Sequence, residues 1–147
     1  MSEHRARIEW HNDSDTLAYE SYTRDHTWTI QSVEVPASAA PEFRGSETRV
    51  DPEEAYVASL SSCHMLTFLS IAAKRKLVVT RYLDNAVGYL QKNESGELAM
   101  TRVVLHPEVS FAEGSAVTRA DLEHLHHGAH KHCFIANSVK TVVEVEF

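Results

Sequence analysis

Between Ala55 and Ala73 nineteen consecutive residues include no Asp, Glu, Lys or Arg. The run is preceded by Asp51-Pro52-Glu53-Glu54 and followed by Lys74-Arg75-Lys76. These flanks define a helix. Asp51 suits the N-cap, Pro52 the first helical position, and Glu54 stands three residues after the cap, where its carboxylate can reach back. The three cations at the far end complement the negative pole of the helix dipole. A bilayer span needs ~20 predominantly apolar residues. Here Ser59, Ser61, Ser62, Thr67, Ser70 and His64 dilute the run. The segment therefore predicts a central helix of a protein interior, buried on nearly every side. In a chain of 147 residues, part of that cover is expected from a partner subunit.

The flanking sequence supplies sheet. Ile8 and Trp10 alternate on one face, Leu17, Tyr19 and Ser21 make a second run, and Trp28, Ile30, Val33 and Val35 follow in a Thr- and Val-rich stretch. Three antiparallel strands are expected there. Residues 36–50 hold two prolines and a glycine and read as a loop. After the helix, strands are expected over 78–91 and 98–111, joined by Asn93-Glu94-Ser95-Gly96. Thr118 then opens a second helix with Asp121 at the capping-box position, and Leu122, Leu125, Ala129 and Cys133 share one face of it. The segment Phe134–Val139 leads as a turn to a last strand, Thr141–Phe147. The order is three strands, helix, two strands, helix, strand. It predicts one α+β domain over residues 1–147, with long helices on mainly antiparallel sheet. With 43% hydrophobic residues there is material for a core.

A formal charge of −7 argues against nucleic acid and anionic membrane as partners. The first thirteen residues contain no apolar secretory core, which points to the cytoplasm. In that reducing compartment two cysteines, Cys63 and Cys133, are more readily catalytic, redox-active or metal-binding than structural. A reactive thiol must ionise, and a nearby cation favours the thiolate. From Asp51 to Ala73 there is no cation, so one must come from elsewhere; Arg24, Arg44 and Arg49 are the candidates. Glu53 precedes Cys63 by ten helical residues, a rise of about 15 Å. It cannot touch the thiol of its own chain, and it acts there only on a partner's thiol or through a bridging arginine.

The segment Asp51-Pro-Glu-Glu-Ala-Tyr-Val-Ala-Ser-Leu-Ser-Ser-Cys63 resembles the helix of the OsmC/Ohr family, the osmotically inducible protein C and organic hydroperoxide resistance proteins. The family pattern there is Asn/Thr-Pro-Glu-Glu, with Cys ten residues after the first Glu. Residues 130–141, His-Lys-His-Cys-Phe-Ile-Ala-Asn-Ser-Val-Lys-Thr, resemble the family's second cysteine segment. The resemblance implies an intertwined homodimer with sites at the subunit interface. It also implies a thiol-dependent peroxidase that reduces organic hydroperoxides to alcohols and is restored by an external dithiol, without metal or flavin. By resemblance Cys63 is the peroxidatic cysteine, Cys133 the resolving one, and Glu53 the carboxylate that orients an arginine near the thiolate. Arg44 is placed much as the arginine of the OsmC branch, with an intervening loop about one residue shorter, and Arg24-Asp25 resembles a pair in the Ohr branch; Arg44 is preferred. Leu60, Leu66 and Phe68 are candidate lining for an organic peroxide pocket. His64 departs from the aromatic residue that many peroxidase members carry after the cysteine, and Phe134 from the proline frequent after the second cysteine.

A second reading starts from the histidines, five of which fall between His124 and His132. His126, His130 and Cys133 lie on one side of a helix, and His and Cys are good zinc ligands. This predicts a metal-binding domain that uses those three residues. A third reading is a non-catalytic OsmC-like module that binds a small hydrophobic ligand.

Overall fold

The computed structural model describes residues 1–147. The uncharged run forms helix α1, Pro52–Lys74. The backbone N–H of Asp51 donates to the Glu54 carboxylate at 3.2 Å, and that of Glu54 to the Asp51 carboxylate at 2.7 Å. This reciprocal box fixes the start of the helix where the sequence predicts it. Only Leu60, His64, Phe68 and Ala72 are fully buried, a stripe repeating every fourth residue. Within one chain, then, the helix is covered along one face rather than on nearly every side, and Leu66 stays 61% exposed. The small sheets that follow cover one side of the cylinder only. By length and composition alone α1 is long and apolar enough to cross a bilayer.

The chain forms two compact units, Met1–Ala55 and Tyr56–Phe147. In the first, strands β1 (Arg7–Glu9), β2 (His26–Ile30) and β3 (Val33–Ala37) form an antiparallel sheet in that order. The strand expected around Leu17–Ser21 is absent. The N–H groups of Ser21 and Tyr22 both donate to the carbonyl of Ala18, closing a local turn. Leu17 and Tyr19 are exposed, so their alternation has no buried face to reward it. The loop expected over 36–50 starts at Ser38, after β3, and contains one 3-10 turn, Pro41–Phe43.

In the second unit each long strand of the expected hairpin is broken in two. The pieces are β4 (Val79–Asp84), β5 (Val87–Lys92), β6 (Leu98–Leu105) and β7 (Pro107–Phe111). β4 pairs with β7, and β5 with β6, both antiparallel. Asp84 explains the break. Its carboxylate accepts the His106 N–H at 2.7 Å and the Ser61 hydroxyl, replacing a ladder bond with a side-chain staple. The hairpin turn is stabilised by the Asn93 side chain, which accepts from the N–H groups of Ser95 and Glu97, with Gly96 at φ 80°. Helix α2 (Arg119–His132) carries a complete capping box between Thr118 and Asp121. β8 (Val142–Val145) joins β6 in parallel.

The core of this unit has two clusters. Phe68 and Ala72 of α1 meet Leu125 and Ala129 of α2, flanked by Val79 and Tyr82 of β4 and Val109 and Phe111 of β7. Leu60 of α1 meets Val103 and Leu105 of β6, flanked by Ile135, Val143 and Val145. Gly128 lets the helices approach, since a Cβ there would lie 2.9 Å from the Ile71 Cδ1. His64 stands on the α1 stripe between the two clusters.

Candidate functional site

Cys63 and Cys133 are both free thiols, Cys63 half-buried in the middle of α1 and Cys133 buried. Cys133 is the C-cap residue of α2, at φ −69° and ψ 114°. The apolar phase of Leu125 and Ala129 carries it into the interior. There the Ala136 N–H points at its Sγ, 3.4 Å away. Burial pushes the Cys133 thiol up, and the neighbouring Cys63 sulfur adds to this through hydrogen bonding and charge; the N–H groups of Ala136 and Ile135 oppose it. The helices carrying the two cysteines pack on each other through Phe68, Ala72, Leu125 and Ala129, and Cys63, seventy positions away in the sequence, is among the groups that raise the Cys133 thiol. One sulfur is open enough to meet a reagent, and the other is held as a thiol. Such a pair can react in sequence: the accessible sulfur is oxidised first, and the sheltered one then displaces what it has gained.

One residue along α1, His64 is 1% exposed and His126 of α2 is 2% exposed. Their nitrogens, His64 Nε2 and His126 Nδ1, are 3.0 Å apart. The ring centroids are 5.4 Å apart with planes inclined at 13°. The nitrogens thus lie between the centroids, edge to edge, as an N–H aimed at a ring lone pair requires. Burial lowers both imidazoles to about 4. For His64, His130 reinforces this and Asp84 opposes it. For His126, His64 and Arg119 reinforce it. His126 also packs against the rings of Phe68 and Phe147, with centroids 4.6 and 4.2 Å away, and its Nε2 has no hydrogen-bond partner. Two nearly buried imidazoles in mutual contact, kept neutral, are the largest feature that sequence reasoning missed. A signal was present: His64 falls four residues from both Leu60 and Phe68, and His126 follows Leu125.

The metal reading fails here. His126 faces His64 rather than an open cavity, and no group of three His, Cys, Asp or Glu side chains is arranged to hold an ion. The remaining histidines of the cluster, His124, His127, His130 and His132, are exposed on α2. Of the residues considered for a peroxide pocket, Leu60 and Phe68 are fully buried core and Leu66 is exposed.

The charged candidates lie in the first unit. Glu53 is half-buried in the first turn of α1. Arg44 follows the 3-10 turn at φ 65°, exposed, with its guanidinium 5.5 Å from the Tyr19 ring centroid. Arg24 sits 5.2 Å from the same ring and 3.6 Å from that of Tyr22. The two arginines proposed as alternatives thus flank one aromatic side chain. Arg49 is otherwise engaged: it pairs with Asp25 at 3.3 Å and donates to the His26 carbonyl. The backbone beside Arg44 requires glycine, because a Cβ on Gly45 would fall 1.6 Å from the Ala39 carbonyl oxygen.

Comparison with known proteins fits this architecture. The family model described as OsmC-like protein matches residues 45–147. An OsmC-like protein of unknown function from Vibrio cholerae is 50% identical over 99% of both chains, with a TM-score of 0.95. An OsmC-like protein from Mycoplasma pneumoniae is 15% identical, covering 99% of this chain and 95% of its own, with a TM-score of 0.76. An organic hydroperoxide resistance protein from Elizabethkingia anophelis is 17% identical, covering 99% and 93%, with a TM-score of 0.73. The last two share the α+β fold. No curated protein sequence matches the chain. With its paired cysteine segments, its order of elements and a family match over more than two thirds of its length, the chain belongs to the OsmC-like protein family.

Proposed function

We propose that the protein is a thiol-dependent peroxidase that reduces organic hydroperoxides to alcohols. What supports the reading is the pairing of a half-buried Cys63 on α1 with a buried Cys133 at the end of α2, on two helices packed through Phe68, Ala72, Leu125 and Ala129. Membership of a family that includes proteins named for organic hydroperoxide resistance supports it.

The Cys63 thiolate attacks one peroxide oxygen. The O–O bond breaks, its electron pair leaves with the alkoxide, and the alkoxide takes a proton to give the alcohol. Cys63 is now a sulfenic acid. The Cys133 sulfur displaces its hydroxyl, which leaves as water, and a disulfide forms. An external dithiol returns both sulfurs to thiols by exchange, as suits a reducing cytoplasm. Arg44 is assigned to favour the Cys63 thiolate and the charge on the departing oxygen, with Arg24 as the alternative. Glu53 orients that guanidinium. Because about 15 Å of helix separates Glu53 from the thiol of its own chain, the proposal includes a homodimer in which one subunit's carboxylate serves its partner's site. The sequence of steps requires no metal or flavin.

The test is consumption of tert-butyl or fatty-acid hydroperoxide in the presence of a dithiol. Wild type is expected to turn over and Cys63→Ser to fall to background. A Cys63→Ser protein with the wild-type rate removes the assignment.

A further inference from the structure

His64 is the residue after Cys63 on α1, and His126 lies two turns before Cys133 on α2. A buried hydrogen bond therefore joins the two helices that carry the thiols, next to Cys63 in the chain and about 10 Å of helix from Cys133. The other contacts between these helices are apolar, through Phe68, Ala72, Leu125 and Ala129. Apolar contact is non-directional, so it fixes register through shape alone. One further polar link, Arg75 to Asp121 at 2.8 Å, lies beyond the C-terminal end of α1 and is exposed, so it constrains little. The imidazole bond, by contrast, is walled by Phe68 and Phe147 and shielded from competing water. Nothing about burial demands histidine there; a pair of phenyl rings would join the two apolar clusters as well. What the histidines add is direction and register. The charged or titratable groups that act on the pair are Asp84 of β4 and His130 and Arg119 of α2.

We infer that the His64–His126 hydrogen bond is a positioning element that holds Cys63 and Cys133 in the alignment needed to form their disulfide. It rests on the thiol pair of the proposed function, but not on peroxide turnover.

The experiment equilibrates the reduced protein with oxidised dithiothreitol. Two protein thiols give up two electrons and two protons to the reagent, which becomes the reduced dithiol, and the protein gains one intrachain disulfide. Wild type is expected to form that disulfide. His64→Phe and His126→Phe keep the bulk but lose the bond. Each is expected to lower the equilibrium constant about tenfold, equivalent to a potential about 30 mV less negative. His126→Asn places an amide where Nδ1 stood and is expected to stay within about threefold of wild type. If a single variant does not fold, the double variant His64→Phe/His126→Phe takes its place. It leaves no orphaned nitrogen and is expected to fold and to show the same tenfold loss. Phenylalanine variants with the wild-type constant overturn the inference, as does an equal loss in His126→Phe and His126→Asn. So does a wild-type protein that forms no intrachain disulfide. A wild-type protein that forms the disulfide but consumes no hydroperoxide removes the peroxidase reading and leaves this one standing.

Discussion

Cys63 and Cys133 are chemically the same residue placed in different surroundings, and the proposed order of reaction follows that difference. Cys63 is half-buried; Cys133 is enclosed and held as a thiol by burial. Cys133→Ser is expected still to react once with an organic hydroperoxide but to stall at the sulfenic acid. A dimedone adduct on Cys63 is then expected to accumulate, whereas wild type gives little. Equal labelling in both proteins contradicts a resolving role. At this scale the sequence was partly legible. The cysteines stand out by number and by phase, and the family resemblance pairs them. The roles of Arg44 and Glu53 are proposed by resemblance, since an arginine or a carboxylate on its own carries no periodic signal. The His64–His126 bond was not legible, because a hydrogen bond between two helices depends on their register, and register is not written in either helix alone.

Elements whose ends carry local hydrogen bonds were read best. Asp51 with Glu54 and Thr118 with Asp121 fix two helix starts through contacts only three residues long. Thr118→Ala removes a side chain that accepts the Asp121 N–H at 3.1 Å and is expected to cost about 1 kcal/mol, measured by urea unfolding. A change within a few tenths of that of a surface control contradicts the capping role. Elements decided by distant contacts were read worse. The break between β4 and β5 depends on the Asp84 carboxylate reaching His106, twenty-two residues away, and on the Ser61 hydroxyl from α1. The segment Ala18–Tyr22 alternates like a strand yet forms a turn, because neither face of it is buried. The single chain covers one face of α1, and the cover expected for the rest is a partner subunit's: an uncharged run tells what a surface tolerates, not what covers it.

At the scale of the whole molecule, the buried imidazole pair contributes a slope to how stability responds to acid. In the unfolded chain these histidines titrate near the ordinary 6.5; in the fold both are lowered to about 4. Between those values the unfolded state binds more protons, so stability is at its full value above about pH 6.5 and is lost as pH falls toward 4. The loss attributable to the pair is on the order of 2–4 kcal/mol, less than the sum of two independent shifts because the rings share one hydrogen bond. Urea unfolding across pH 4–7 is expected to show this slope in wild type and a flatter curve in the double variant His64→Phe/His126→Phe. Parallel curves contradict it. The fold class was legible as a whole from the order of elements, even where single strands were misjudged, because the arrangement rests on many weak signals that agree. The most direct test of the central claim is mass spectrometry of the protein after one equivalent of an organic hydroperoxide. The account predicts loss of two mass units and a peptide pair linked through Cys63 and Cys133. A protein that instead carries added oxygen on Cys63, with Cys133 still a free thiol, contradicts it.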